Sequence, residues 1–215
     1  MHHLSRRALI EGALSLGVAM TTTARLDAAE AEIRYDFTLP LEGWQTVTGR
    51  WAIERMSDAA EGVALLQRAT NNPFNVIVAP AGPFGDVDVS VRFKPISGRE
   101  DASGGIVFRF DGGRYYVIRA NALEDNFNFY YYENGRRQIA GVRIKAPALG
   151  QWHTLRVVAE GDRMRGWLND QPLLDHKDAR YRSGKIGLWT KADSVTAFDS
   201  LRILRPAGRA SGDGA

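Results

Sequence analysis

The chain of 215 residues carries 28 Lys and Arg against 25 Asp and Glu, a formal charge of +3, with 44% hydrophobic residues and no cysteine. That length suits one domain with a real core. The missing thiols exclude disulfides, thiolate metal sites and thiol nucleophiles, and so slight a basic surplus argues against nucleic acid as a partner.

Residues 1–31 read as an export leader. Ser5-Arg6-Arg7 precedes Ala8-Leu9-Ile10, the stretch from Gly12 to Met20 is small and apolar, and Ala29-Glu30-Ala31 fits a small-x-small cleavage site. The paired arginines resemble a twin-arginine export signal, which implies a periplasmic or secreted mature protein. A globular N-terminal helix is the alternative. The apolar run is too short for a bilayer, so no membrane span is expected in the mature chain.

Residues 32–205 alternate apolar and polar positions, broken by turn residues about every ten positions. Ile33–Phe37, Trp51–Arg55, Val63–Gln67 and Phe74–Ala79 are the first candidate strands. Asp86 to Phe93 sets Val87, Val89, Val91 and Phe93 on one face, with Pro95 and Ser97-Gly98 ending the strand. Gly105–Phe110 and Arg114–Asn121 flank Asp111-Gly112-Gly113, a hairpin loop in which glycine reaches positive φ freely. Opposing Phe110 to Arg114 sets Phe108 across from Tyr116 and Ile106 across from Ile118, leaving Val107, Arg109, Tyr115, Val117 and Arg119 on the other face.

Phe127–Tyr132 then meets Gln138–Arg143 across Asn134-Gly135, with Phe127, Phe129 and Tyr131 on one face and Asn128, Tyr130 and Tyr132 on the other. Trp152–Ala159 turns Leu155, Val157 and Ala159 inward, Arg163–Leu168 follows a Gly161-Asp162 turn, and Lys185–Thr190 and Thr196–Ile203 close the domain. Trp44, Trp51, Trp152 and Trp167 read as packing anchors. Residues 206–215 are small and polar and read as a disordered tail. About a dozen short strands without an amphipathic helix predict an all-β fold of two packed antiparallel sheets.

Three segments carry a resemblance. They are Ser103–Arg109 with Tyr115–Asn126, then Trp152–Val157, then Gly187–Val195 with Phe198–Leu201. Together they resemble the concanavalin A-like, laminin-G-like jelly-roll superfamily, in particular the exported 3-keto-disaccharide hydrolase-like domains. The resemblance implies a jelly-roll sandwich and a carbohydrate partner, with either glycoside turnover or non-catalytic binding. One departure stands out. Family members carry a Glu-x-Gln strand where this chain reads Tyr116 to Asn121, without a carboxylate.

Glycoside hydrolysis needs paired carboxyl groups. The one-strand Glu-x-Asp-x-(x)-Glu motif of the laminarinase-type jelly-roll enzymes is absent from the sequence. The candidates left are Glu124, after Asn121, and Asp193, in Lys191-Ala192-Asp193-Ser194. Either could abstract the proton beside a sugar ketone, with Arg119 or Lys191 stabilising the enolate. Trp189 or Tyr115 would stack on a pyranose, and Asn121 would bond hydroxyls. The structural alternative makes Glu124-Asp125-Asn126 a solvated loop, closes Lys191–Ser194 on itself and pairs Arg109 and Arg119 with local acids.

His153 and His176 read as structural or exposed residues, His176 within a loop, and no metal ligand is assigned. No cofactor is expected. The resemblance admits a structural calcium ion, although Asp175 and Asp178 lack a loop motif. No phosphate-cradling glycine loop and no Gly-x-Ser-x-Gly motif occur in the sequence.

Overall fold

Strands that are apolar at every second position bury one face each, and two such sheets must close on each other. The computed structural model describes residues 31–206 and shows that closure, with no helix among them. The strands are β1 (Ala31–Tyr35), β2 (Gln45–Thr48), β3 (Trp51–Arg55), β4 (Val63–Gln67), β5 (Phe74–Val78), β6 (Val87–Ser97), β7 (Ser103–Asp111), β8 (Arg114–Asn121), β9 (Asn126–Tyr132), β10 (Arg136–Arg143), β11 (His153–Glu160), β12 (Arg163–Leu168), β13 (Gln171–Lys177), β14 (Lys185–Lys191) and β15 (Val195–Arg205). One sheet runs β13-β12-β11-β6-β15-β4-β3, with β1 also on β15; the other runs β10-β9-β8-β7-β14-β5-β2. All pairings are antiparallel. The expected leader and tail lie outside the described residues, apart from Ala31, which opens β1, and Pro206.

The core forms where the inner faces meet. Val87, Val89, Val91, Phe93, Leu155 and Val157 from one sheet face Ile106, Phe108, Tyr116, Ile118, Phe127 and Phe129 from the other. Gly166 lets the sheets approach closely, because a Cβ there would stand 2.5 Å from Ile118 Cδ1 and 3.0 Å from Phe127. Trp51 packs on Phe198 and Trp44 on Tyr35 and Phe37, as anchors of the β1–β3 end.

The β7–β8 register pairs Phe108 with Tyr116 and Ile106 with Ile118, as the hairpin pattern requires. Arg109 departs from that pattern. A bulge lies between Phe108 and Asp111, with Arg109 at φ +53°, so Asp111 and not Phe110 opposes Arg114. The extra residue sends Arg109 away from the face of Tyr115, into the end of the sandwich. There its guanidinium donates to the carbonyls of Tyr181 (2.9 Å), Gly161 (2.8 Å) and Gly85 (3.2 Å). Burial pulls its pKa down, and these carbonyls replace the water it has lost. Phe110 takes the vacated place beside Tyr115, 5.8 Å between rings.

Two edge strands, β2 and β13, have no counterpart in the alternation pattern. His176 therefore sits in β13, opposite Met164, and not in a loop. Pro95 does not end β6. It occupies an irregularity in the β15 pairing, a position that tolerates a missing N–H.

Candidate functional site

The outer face of the β10–β2 sheet divides into an aromatic half and a polar half. Trp189 lies in the aromatic half at 1% exposure. Phe74 stacks on it at 5.5 Å and meets the edge of Tyr132 at 5.6 Å, while Tyr132 stacks on Tyr115 at 5.0 Å. The rings thus cover one another. Neither Trp189 nor Tyr115 offers an open face to a pyranose in this conformation.

The polar half is built around Arg119, which alternation along β8 turns outward and which is 2% exposed. Its Nη2 donates to Glu124 Oε2 (2.8 Å) and to the Tyr130 hydroxyl (3.0 Å), and its Nη1 donates to Asn126 Oδ1. Asn126 Nδ2 in turn donates to Glu124 Oε2 at 2.9 Å. Asn128 donates to Tyr130 (2.8 Å) and to Asn126 (3.1 Å), and accepts from Gln138 (3.3 Å). Arg119 Nε is buried without a partner. Burial opposes the charge on Glu124, but hydrogen bonds from Asn126 and Arg119, with the charges of Arg119 and Lys191, prevail and hold its pKa below the ordinary value.

Beside this network lies an open cleft of about 420 Å³, lined by Asp125, Asn126, Asn128, Gln138, Gly141, Val142 and Arg143. Gly141 makes the space. A Cβ there would stand 2.6 Å from Gln138 Nε2 and closer still to Asn128 Oδ1. Amide, guanidinium and carboxylate groups along one shallow surface match the alternating donors and acceptors of sugar hydroxyls.

The other candidates form a second network at the same sheet end, around the fully buried Asp101. Its carboxylate accepts from Lys191 Nζ (3.0 Å), Asn121 Nδ2 (2.9 Å) and Ser194 Oγ (3.1 Å). Asp193 turns away from Glu124. It accepts from the backbone N–H groups of Arg99 (2.7 Å), Glu100 (3.1 Å) and Asp101 (2.9 Å). Burial opposes its charge, yet these N–H bonds hold its pKa below the ordinary value. The structure therefore joins Arg119 with Glu124, and Asn121 with Lys191 around Asp101, to whose backbone N–H Asp193 is bonded, and sets Trp189 and Tyr115 together in the aromatic half.

Asn126, Asn128, Tyr130 and Gln138 were not among the sequence candidates. Alternation along β9 does place Asn128 and Tyr130 on the outer face, so that signal was available. Asp101 had none, because its partners are remote in sequence. Of the acids considered for calcium, Asp175 is engaged by Arg163, and Asp178 by the Tyr116 hydroxyl (2.6 Å) and Arg180. Among the described residues no group of three His, Asp or Glu could hold a metal.

The family described as the 3-keto-alpha-glucoside-1,2-lyase-like domain matches residues 39–204, and the chain belongs to it. A levanase of Bacillus subtilis (strain 168) is 27% identical over 170 residues, which cover 77% of this chain and 23% of the levanase. The chain thus spans about a quarter of that relative's length. The solved carbohydrate binding module CBM66 from Bacillus subtilis is 26% identical, with a TM-score of 0.64 over 74% of this chain and 94% of the module. A Bacillus licheniformis β-glucanase, 15% identical, matches with a TM-score of 0.55 over 83% of this chain and 98% of its own, and shows the fold alone. The fold is the concanavalin A-like jelly roll that the sequence implied.

Proposed function

We propose that this chain recognises carbohydrate, without turning it over, through the cleft beside Arg119, Asn126, Asn128 and Gln138. The carrying observation is that Arg119 and its partners form a mutually bonded polar surface along an open cleft. The likeness to a carbohydrate binding module supports this reading. The two carboxyl groups support it as well. Glycoside cleavage requires a general acid with a raised pKa. Glu124 is instead held ionised by Arg119, and Asp193 is tied down by backbone N–H groups.

A second reading keeps Glu124 as a base. Its side chain is 40% exposed and ionised beside a buried guanidinium, the arrangement that proton abstraction next to a sugar ketone would use. The twin-arginine-like leader and the carbohydrate reading together support a periplasmic or extracellular mature protein.

Calorimetry against a panel of fructans, glucans and native or 3-keto disaccharides, with monosaccharide release followed in parallel, tests both readings. Binding without release, weakened at least tenfold by Gln138→Ala plus Asn128→Ala, is the expected result. Release that disappears in Glu124→Gln would establish the second reading. The absence of binding across the panel would remove the first.

A further inference from the structure

The cleft beside Arg119 does not end at the sheet edge. Val142 and Arg143 line it on one side and line a larger cleft of about 770 Å³ on the other. The larger cleft lies between the end of β10, residues 144–151 and the β12–β13 hairpin. Its charged lining is Arg143 and Lys145, with no carboxylate. Both side chains are exposed, and among the described residues no ion pair holds either. The cations of the sheet's polar half differ in this respect, since Arg119 is matched by Glu124 and Lys191 by Asp101.

One acid stands beside this pair, because Asp125 shares the smaller cleft's lining with Arg143. Asp125 lines only the smaller cleft, and its Oδ1 accepts from Ala146 N–H at 3.3 Å. Asp170 follows Asn169 outside the lining.

The floor of the larger cleft is polar and fixed. Asn169 Oδ1 accepts from Thr154 N–H at 2.9 Å, so its Nδ2 must donate to His153 Nδ1 at 3.1 Å. The remaining ring nitrogen, Nε2, then carries the proton to the Ala148 carbonyl at 3.0 Å. His153 is buried, with both ring nitrogens engaged.

We infer that the glycan site continues past Arg143 into this edge cleft, and that the edge cleft selects an acidic group on the carbohydrate, a carboxylate or a sulfate ester. The inference rests on the carbohydrate reading of the Arg119 cleft. A neutral sugar gains only hydrogen bonds from such cations, whereas an acidic group gains charge attraction as well. Two cations without carboxylates, in a concave wall, concentrate an anion, and a guanidinium grips a carboxylate or sulfate through paired N–H bonds.

Calorimetry on the full chain with two matched probe pairs decides the matter: short oligogalacturonates against their methyl esters, and sulfated against unsulfated dextran oligosaccharides. In at least one pair the acidic form is expected to bind about tenfold tighter, with the gain shrinking as salt is added. The pair that shows the gain identifies the carboxylate or the sulfate as the preferred group. Lys145→Gln, at a residue that lines only the edge cleft, should shrink the gain and leave any binding of the neutral form unchanged, and adding Arg143→Gln should abolish the gain. Equal affinity within both pairs overturns the inference, as does a gain that survives the double substitution. Neither result touches the carbohydrate reading, which stands or falls on the neutral panel and the Asn128 and Gln138 substitutions.

Discussion

Arg119 Nη2 stands 2.8 Å from Glu124 Oε2, an ion pair whose cation is buried and whose anion reaches solvent. The asymmetry sets what each half is worth. Replacing the carboxylate by an amide leaves a buried guanidinium whose acceptors, Asn126 and Tyr130 among them, are all neutral oxygens. Glu124→Gln should therefore cost about 1–2 kcal/mol, less than a fully buried pair because Glu124 is partly screened by water. Denaturant titration with an unchanged slope checks the figure.

The same pair fixes a pH dependence. The pKa of Glu124 is lower in the folded chain than in the unfolded one, so the unfolded state takes up the proton first as acid is added. Its stabilisation is complete above the ordinary glutamate range and fades as the pH falls below about 4. Asp193 shifts in the same direction and adds to the effect. The parent chain should lose stability on acidification more steeply than Glu124→Gln, as thermal melts across pH 3 to 7 would show.

Asp193→Asn separates anchoring from chemistry. An amide keeps one acceptor oxygen for backbone N–H groups that now share two oxygens at 2.7 to 3.2 Å. The connection from β6 to β7 should loosen, with about 1–3 kcal/mol of stability lost and faster amide exchange at Arg99 to Asp101. Unaltered exchange at these amides would contradict an anchoring role.

These residues show what the sequence made legible. The alternation in β7 and β8 gave the pairing of Ile106 with Ile118 because a one-residue slip would have placed polar groups in the core. No local pattern marks the bulge at Arg109, whose reward is three carbonyls contributed by distant turns. Edge strands β2 and β13 escaped because a half-solvated edge needs no clean alternation; every residue of Gln45–Thr48 is exposed. The Arg119–Glu124 pair was within reach, five residues apart across one turn. Asp101 was not, since its value lies in contacts with Asn121, Lys191 and Ser194 that only the closed sandwich creates.

Phe74 covers Trp189 and Tyr132 braces Phe74, so Tyr132→Ala should let Phe74 swing away and uncover Trp189. Acrylamide quenching, taken as the difference from the same variant bearing Trp189→Phe, is expected to rise at least twofold. Unchanged quenching would mean that the remaining rings cover Trp189 without Tyr132.

Gly141→Ala gives the sharpest separation of binding from folding. Its backbone is outside the left-handed region, so alanine meets no φ penalty. The new methyl would collide with Asn128 Oδ1 and Gln138 Nε2, which are side-chain ends that can rotate away. Strain in the fold is thus relieved cheaply, on a strand at the sheet edge, and stability should change by less than about 1 kcal/mol. The rotation nevertheless breaks the 3.3 Å bond from Gln138 to Asn128 and fills the cleft floor. Affinity for any carbohydrate bound there should drop at least tenfold while the melting temperature stays within a few degrees of the parent. Retained affinity in a folded Gly141→Ala chain would move the binding surface elsewhere on the molecule.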